Sequence, residues 1–275
     1  MSDRPNTKLK HGTFANGIPY VEFGTGPKTM LFFAGGPGNI VPSGLGASGF
    51  VRGMRAFTDE YTIILVTRKS GLPEGYTTQA MSDDYAELVG SEFDGHVDLV
   101  MGTSYGGLIA QYFAVNHPEL FDRLVIVMSG PVVSDKAKQI DLRYAELISQ
   151  HKDREAMAVR GEAVFTGGAR VIMSALLWLF GKLLLGKVDE TFRRDVVIEA
   201  RAEAEHDSRD IVERIRVPTL VVGSTEDFAF PVSTVEEMAR RIPAAQLKLY
   251  PGGHTAAFLD KRFYPDVREF TRRPT

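Results

Sequence analysis

A chain of 275 residues, 44% of them hydrophobic, can bury one sizeable core with room for an inserted subdomain. A net charge of −3 offers no electrostatic footprint for nucleic acid, and the absence of cysteine excludes a disulfide framework and thiolate metal sites. The polar start, Met1-Ser2-Asp3-Arg4-Pro5-Asn6, lacks the apolar stretch of a signal peptide, so a cytoplasmic protein is the expectation.

Taken in order, Thr13 to Gly24 reads as two strands around the Asn16-Gly17 turn, an opening hairpin. Thr29 to Phe33 is a short buried strand, ended by Ala34-Gly35-Gly36-Pro37-Gly38. The glycine-rich loop that follows, through Gly49, contains Gly44-Leu45-Gly46-Ala47-Ser48-Gly49, which matches the dinucleotide-binding pattern letter by letter. It lies well past the strand end, with Pro37 and Pro42 between, and cannot form the strand-to-helix turn that such a site needs. No cofactor is expected. A helix over Phe50 to Phe57, a strand over Tyr61 to Thr67 and an amphipathic helix over Thr78 to Val89 come next. Val97 to Met101 is a strand buried on both faces, helical patterning from Leu108 runs to Asn116-His117-Pro118, and Arg123 to Met128 is another buried strand. This alternation predicts an α/β fold with a mostly parallel, doubly wound sheet.

The rhythm breaks between residues 132 and 210, where helical patterns run without a convincing strand, too long for an ordinary crossover. A helical cap inserted at 132–210 into a core of 1–131 and 211–275 is the expected domain organisation. Within it, Val171 to Leu185 is apolar on nearly every face, yet falls short of the ~20 residues of a membrane span and is interrupted by Lys182. The expectation is a helix packed inside the cap and lining a lipophilic cavity. A membrane-surface contact, helped by Arg170, Lys187, Arg193 and Arg194, and a dimer interface are the alternatives. The sheet pattern resumes at Val217 to Gly223, followed by a helix over Val232 to Arg241, a last strand over Gln246 to Tyr250 and a helical tail from Ala257 to Arg272 despite Pro265.

Chemistry gathers at Gly102-Thr103-Ser104-Tyr105-Gly106, where a Gly-x-Ser-x-Gly run joins the central strand to the next helix. The flanking glycines let strand and helix pass close together and push the serine hydroxyl out at the top of the sheet. A serine hydroxyl needs a base within hydrogen-bond reach, and the base needs an orienting group. In an open parallel sheet reactive groups collect at the carboxyl ends of strands. Asp227 and His254 follow the last two strands at that edge. The remaining histidines compete poorly: His96 stands at the amino end of the central strand, His117 ends a helix, and His11, His151 and His206 lie in terminal or cap segments. No paired metal-ligand spacing occurs, so no metal is expected.

The order Ser104, Asp227, His254, together with the elbow and a glycine-rich turn after the third strand, resembles the α/β-hydrolase family over essentially the whole chain. The resemblance implies Ser104 as nucleophile, His254 as base and Asp227 as the acid ahead of Pro231, with Glu226 as the fallback. It further implies an oxyanion hole built from the backbone N–H groups of Tyr105 and Gly36, Gly35 being the reserve and Pro37 having no N–H to give. The Gly-Gly-Pro-Gly run at 35–38 is similar to that of proline-iminopeptidase-like members. Here Ala34 stands where those relatives carry a histidine, and Tyr105 where they often carry a tryptophan. The expected activity is serine hydrolysis of a carboxylic ester of a small molecule, the apolar cap helix pointing to a lipophilic one. An aminopeptidase, an acyltransferase or a C–C-bond hydrolase on the same residues, and a small-molecule receptor on this fold, are the alternatives. A peptidase needs cap carboxylates for a free amino terminus; Glu199, Glu203 and Glu205 are candidates, although their pattern reads more simply as a solvated helix face. Oligomeric state is left open.

Overall fold

The computed structural model describes residues 9–164, 167–186, 188–243 and 245–273. The opening hairpin pairs β1 (Lys10–Thr13) with β2 (Pro19–Phe23), Thr13 opposite Pro19. The first strand therefore ends at Thr13, where the sequence pattern had it begin, and the Asn16 side chain accepts the Ile18 N–H to close the turn. β3 (Lys28–Phe33) leads into the glycine-rich segment, which is not all loop: α1 (Gly44–Met54) begins six residues before the expected Phe50. Phe50, Val51 and Met54 pack this helix on the sheet, and that burial outweighs the poor helix propensity of its glycines. β4 (Tyr61–Val66) and α2 (Thr78–Glu92) follow, the latter capped where the Thr77 side chain accepts the Ala80 N–H.

β5 (Val97–Thr103), α3 (Tyr105–Asn116) and β6 (Phe121–Val127) form the centre, and β7 (Thr219–Ser224), α8 (Val232–Arg241) and β8 (Ala245–Tyr250) complete the sheet later in the chain. The strand order is β1-β2-β4-β3-β5-β6-β7-β8, with β2 antiparallel to both neighbours and every pair from β4 onward parallel. Alternate residues serve opposite faces. Leu31, Phe33, Val100, Leu124 and Val221 meet α2, α3 and α8, while Met30, Phe32, Leu99, Val125 and Val222 meet α1 and the C-terminal helix. Each fully buried side chain of this size contributes roughly 1.5–3 kcal/mol. Because the central strands are parallel, the segments after β3, β4, β5, β6, β7 and β8 all emerge at one edge.

Between β6 and β7 stand α4 (Asp135–Ser149), α5 (Asp153–Val164), α6 (Gly167–Leu185) and α7 (Glu190–Glu205), and among the described residues of 132–210 only the bridge Val132–Asp207 is extended pairing. Ile140, Tyr144, Ile148, Val159, Phe192 and Val196 join α4, α5 and α7 in a core of their own. Helix α6 departs from expectation. It packs chiefly on α5 and leaves most of its large apolar side chains exposed instead of lining a cavity. Among the described residues no helix is long and apolar enough to cross a membrane. The tail is two helices, α9 (Ala256–Leu259) and α10 (Phe263–Arg272), with Pro265 in the first turn of α10, where its missing N–H costs nothing.

Candidate active site

Ser104 occupies the one-residue joint between β5 and α3 at φ 50° and ψ −117°. For a residue bearing a Cβ this is a strained conformation, worth of order 1–3 kcal/mol, held by the packing around it. Its N–H donates to the Val127 carbonyl at 2.9 Å and its own carbonyl accepts from Gly107 and Leu108 at 2.8 and 3.2 Å. Gly106 explains why the elbow tolerates no side chain there: a Cβ would overlap the carbonyl of Phe33, since α3 crosses directly over the end of β3.

The structure brings Ser104, His254 and Asp227 together. His254 Nε2 lies 3.0 Å from Ser104 Oγ, and His254 Nδ1 lies 2.8 Å from Asp227 Oδ2. A carboxylate only accepts, so Nδ1 carries the proton and Nε2 is left as the acceptor for the serine hydroxyl. Asp227 is fixed from behind, its Oδ1 accepting the N–H groups of Ala229 at 2.8 Å and Phe230 at 3.2 Å. The two loops are tied to each other as well, through Thr225 N–H to Tyr250 carbonyl and Glu226 N–H to Gly252 carbonyl, both 2.9 Å. The Glu226 side chain is exposed and is not brought to the site. The Phe230 ring stacks on the imidazole with centroids 5.8 Å apart.

Tyr105 opens α3, so its N–H belongs to the positive end of the helix. Gly36, at φ 68°, lines the same cavity as Ser104 from the loop after β3. Among the described residues, neither of these two N–H groups donates to another protein group. The phenol of Tyr105 is buried, and burial pushes its pKa well above the ordinary value; its hydroxyl donates to the Glu199 carbonyl at 3.0 Å.

What braces the glycine loop is a buried ion pair that the sequence reading missed. Arg68 donates to the carbonyls of Ala34, Gly36 and Gly38, and its Nε lies 3.0 Å from Glu199 Oε2. Glu199 also accepts the Gly38 N–H at 2.6 Å. Helix α7 thus latches directly onto the loop. Burial pushes the Glu199 carboxyl above its ordinary range, against the pull of Arg68 beside it. One signal could have found Arg68: it follows an apolar strand at the same sheet edge as Ser104.

The reading of Glu199, Glu203 and Glu205 as one solvated face fails for the first two. Glu199 and Glu203 are buried, and only Glu205 is exposed. Their four-residue spacing turns them, with buried Asp195, toward the sheet edge, where N–H groups and Arg68 receive the first two of that row. Glu203 lines the cavity above Ser104, together with Asp141 of α4 and Arg160 of α5. Arg160 lies 3.6 Å from Asp141. Burial first, then the charge of Asp141, pushes Glu203 well above the usual carboxylate range, while Arg160 pulls it down. Asp141 is raised by burial in the same way. Nothing in the sequence around Asp141 or Arg160 marks them. The cavity holds about 190 Å³, and its other walls are mostly apolar, including Val133, Ile140, Phe228 and Phe258.

The other histidines lie elsewhere: His117 pairs with Asp83, His96 with Asp122, and His206 with Thr78. Among the described residues no group of three or more His, Asp or Glu side chains is arranged to hold a metal ion.

This fold, with a serine at a strand-to-helix elbow facing a histidine and an aspartate from later strand ends, defines a hydrolase class. Residues 30–265 match the Alpha/beta hydrolase family, and the chain belongs to that family. It is accordingly an enzyme, a hydrolase. Among curated proteins it is 24% identical over 231 residues to "Putative carbamate hydrolase RutD" of Yersinia enterocolitica, covering 78% of this chain and 80% of that one. It is 27% identical over 235 residues to the pimeloyl-[acyl-carrier protein] methyl ester esterase of Chromobacterium violaceum, covering 82% and 89%. Among solved structures, an alpha/beta hydrolase enzyme from a Medee basin deep-sea metagenome library superposes with a TM-score of 0.76 at 20% identity, over 94% of this chain and 95% of that one.

Proposed function

We propose that this chain is a serine hydrolase that cleaves a carboxylic ester of a small molecule through an acyl-enzyme on Ser104, with residues 132–210 as its cap. The observation that carries the reading is the pair of contacts at His254, 3.0 Å to Ser104 Oγ and 2.8 Å to Asp227 Oδ2. In the first half-reaction Ser104 Oγ attacks the ester carbonyl as His254 Nε2 takes the hydroxyl proton. The Tyr105 and Gly36 N–H groups hold the oxyanion, and Asp227 stabilises the imidazolium. Collapse breaks the ester C–O bond, and His254 returns the proton to the departing alcohol. Water then repeats the attack on the acyl-enzyme, giving its proton to His254, and Ser104 leaves with that proton restored. Relatives named as an esterase and a carbamate hydrolase support an ester-type bond. The cavity over Ser104 shares Gly35, Thr103 and Phe258 with a larger neighbouring cavity of about 590 Å³, so its own small volume does not bound the acyl group. Any preference for lipophilic substrates rests on its apolar walls rather than on α6, which lies outside it.

A fluorophosphonate probe should add one label, at Ser104, and Ser104→Ala should abolish both labelling and turnover of p-nitrophenyl esters. A folded protein that stays unlabelled and inactive across a panel of esters, thioesters and amides would overturn the reading. One observation favours a second reading: Glu203 Oε2 is buried at the cavity without a hydrogen-bond partner, a ready acceptor for a substrate ammonium or N–H group. An aminopeptidase would turn over alanyl or prolyl anilides far better than esters, with Glu203→Gln raising KM for the anilide.

A further inference from the structure

Helix α6 carries an apolar surface that the fold does not cover. Its less exposed described positions, Met173, Ser174, Leu177, Gly181 and Leu185, lie on one side of the helix and form a stripe along α5. Gly181 belongs there for a reason: a Cβ would overlap Met157, so the two helices meet closely along a narrow line. Most of the other described side chains of the helix face outward and, Lys182 apart, are apolar. Val171, Ile172, Leu179, Leu183 and Leu184 are each more than half exposed, Leu183 by 82%. A contiguous patch of this kind marks a surface that something covers.

Charge identifies the occupant. The helix contains no acidic residue; its only charges are Arg170 and Lys182. Anionic headgroups complement the exposed Lys182 and the exposed Arg154 of α5. Trp178 is 44% exposed on the same helix, and the Arg154 guanidinium of α5 sits 5.3 Å from its ring centre. An indole with a cation at its edge suits the headgroup level of a bilayer, where Lys182 can also extend its charge outward. Since the helix does not qualify as a span, the geometry fits a helix lying in the plane of the interface. We propose that α6 docks this enzyme on an anionic lipid surface, its outer apolar side chains in the acyl region and Lys182 and Arg154 at the phosphates. This inference is independent of the ester reading.

Trp178 is the chain's single tryptophan, so its emission reports on this face alone. With the full chain and vesicles of one part phosphatidylglycerol to two parts phosphatidylcholine, the emission should shift to the blue, be quenched by brominated lipid, and recover as salt is raised. The exposed double substitution Leu179→Asp/Leu183→Asp should weaken vesicle binding at least tenfold, with circular dichroism and thermal unfolding unchanged. Lys182→Glu should weaken binding to the anionic vesicles as well. Absence of any shift or co-sedimentation overturns the proposal, and equal binding to pure phosphatidylcholine overturns its anionic assignment. A wild-type dimer that the double substitution converts to monomer, without vesicle binding, would make the face a subunit interface and refute it.

Discussion

Arg68→Met tests whether one buried ion pair holds both the fold and the loop carrying Gly36. In the wild type the guanidinium satisfies three carbonyls and the Glu199 carboxylate at once. Methionine fills much of the volume and removes every donor, leaving Glu199 with the Gly38 N–H alone. Breaking one side of a buried pair costs ~3–5 kcal/mol because the other charge stays buried and uncompensated. Uptake of a proton by Glu199 limits that loss. Burial already raises this carboxyl, and without Arg68 nothing strong pulls it back. A folded pKa above the unfolded value gives stability that is fully present below the unfolded value and lost as pH rises through the folded one. The gap between mutant and wild type should therefore narrow as pH falls toward the ordinary value of 4.5. Urea unfolding at neutral pH should show a deficit of about 4 kcal/mol. Arg68→Met/Glu199→Leu, which buries no charge, should recover at least ~1 kcal/mol relative to the sum of the single variants. If the loop slackens, the Gly36 N–H moves off the oxyanion and kcat on a soluble ester falls ~10²–10³-fold with KM little changed. Additivity within ~0.5 kcal/mol in the double-mutant cycle, or wild-type kcat in Arg68→Met, would refute the reasoning.

Three further outcomes are expected. Ser104→Gly should remove activity yet raise stability by about 1 kcal/mol, measured by urea unfolding, because glycine accepts φ 50° without strain. Asp227→Asn should lower kcat by about 10⁴-fold through the wrong imidazole tautomer, with near-native unfolding, as read by steady-state kinetics beside circular dichroism. His206 is buried against Thr78 and Tyr112, and burial lowers its pKa from 6.5 to about 3. The unfolded chain therefore binds a proton between those values that the native state refuses, so stability is lost as pH falls, by up to about 1.4 kcal/mol per pH unit. His206→Gln should flatten that acid slope in urea unfolding followed from pH 6.5 downward, and an unchanged slope would assign it to other groups.

Much of this site was legible in the residues because the chemistry is local to strand ends. Gly-x-Ser-x-Gly demands a close crossing that only glycine allows, and alternating apolar strands declare a parallel sheet whose carboxyl ends must share an edge. From that, Ser104, Asp227 and His254 follow in chain order, whereas Tyr105 and Gly36 came only from the resemblance to the α/β-hydrolase family. The start of α1 was hidden because glycine is a weak helix former, and only packing of Phe50, Val51 and Met54 on the sheet makes the helix worthwhile. Glu199 and Glu203 looked solvated because charge at helical spacing reads the same whether it faces water or a buried guanidinium.

What the sequence determined by itself, then, was the order of elements, the elbow that carries Ser104 and the side chains able to meet it, since periodicity, glycine placement and strand ends are short-range properties. Tertiary structure alone decided that Arg68 and Glu199 would be partners across 131 positions, that Asp141, Arg160 and Glu203 would crowd one small cavity, and that α6 would turn its apolar side outward. The physical reason is that a helix pattern records how much of its surface is apolar but not which neighbour covers it. A buried charge likewise becomes tolerable only when a counter-charge arrives from elsewhere in the chain.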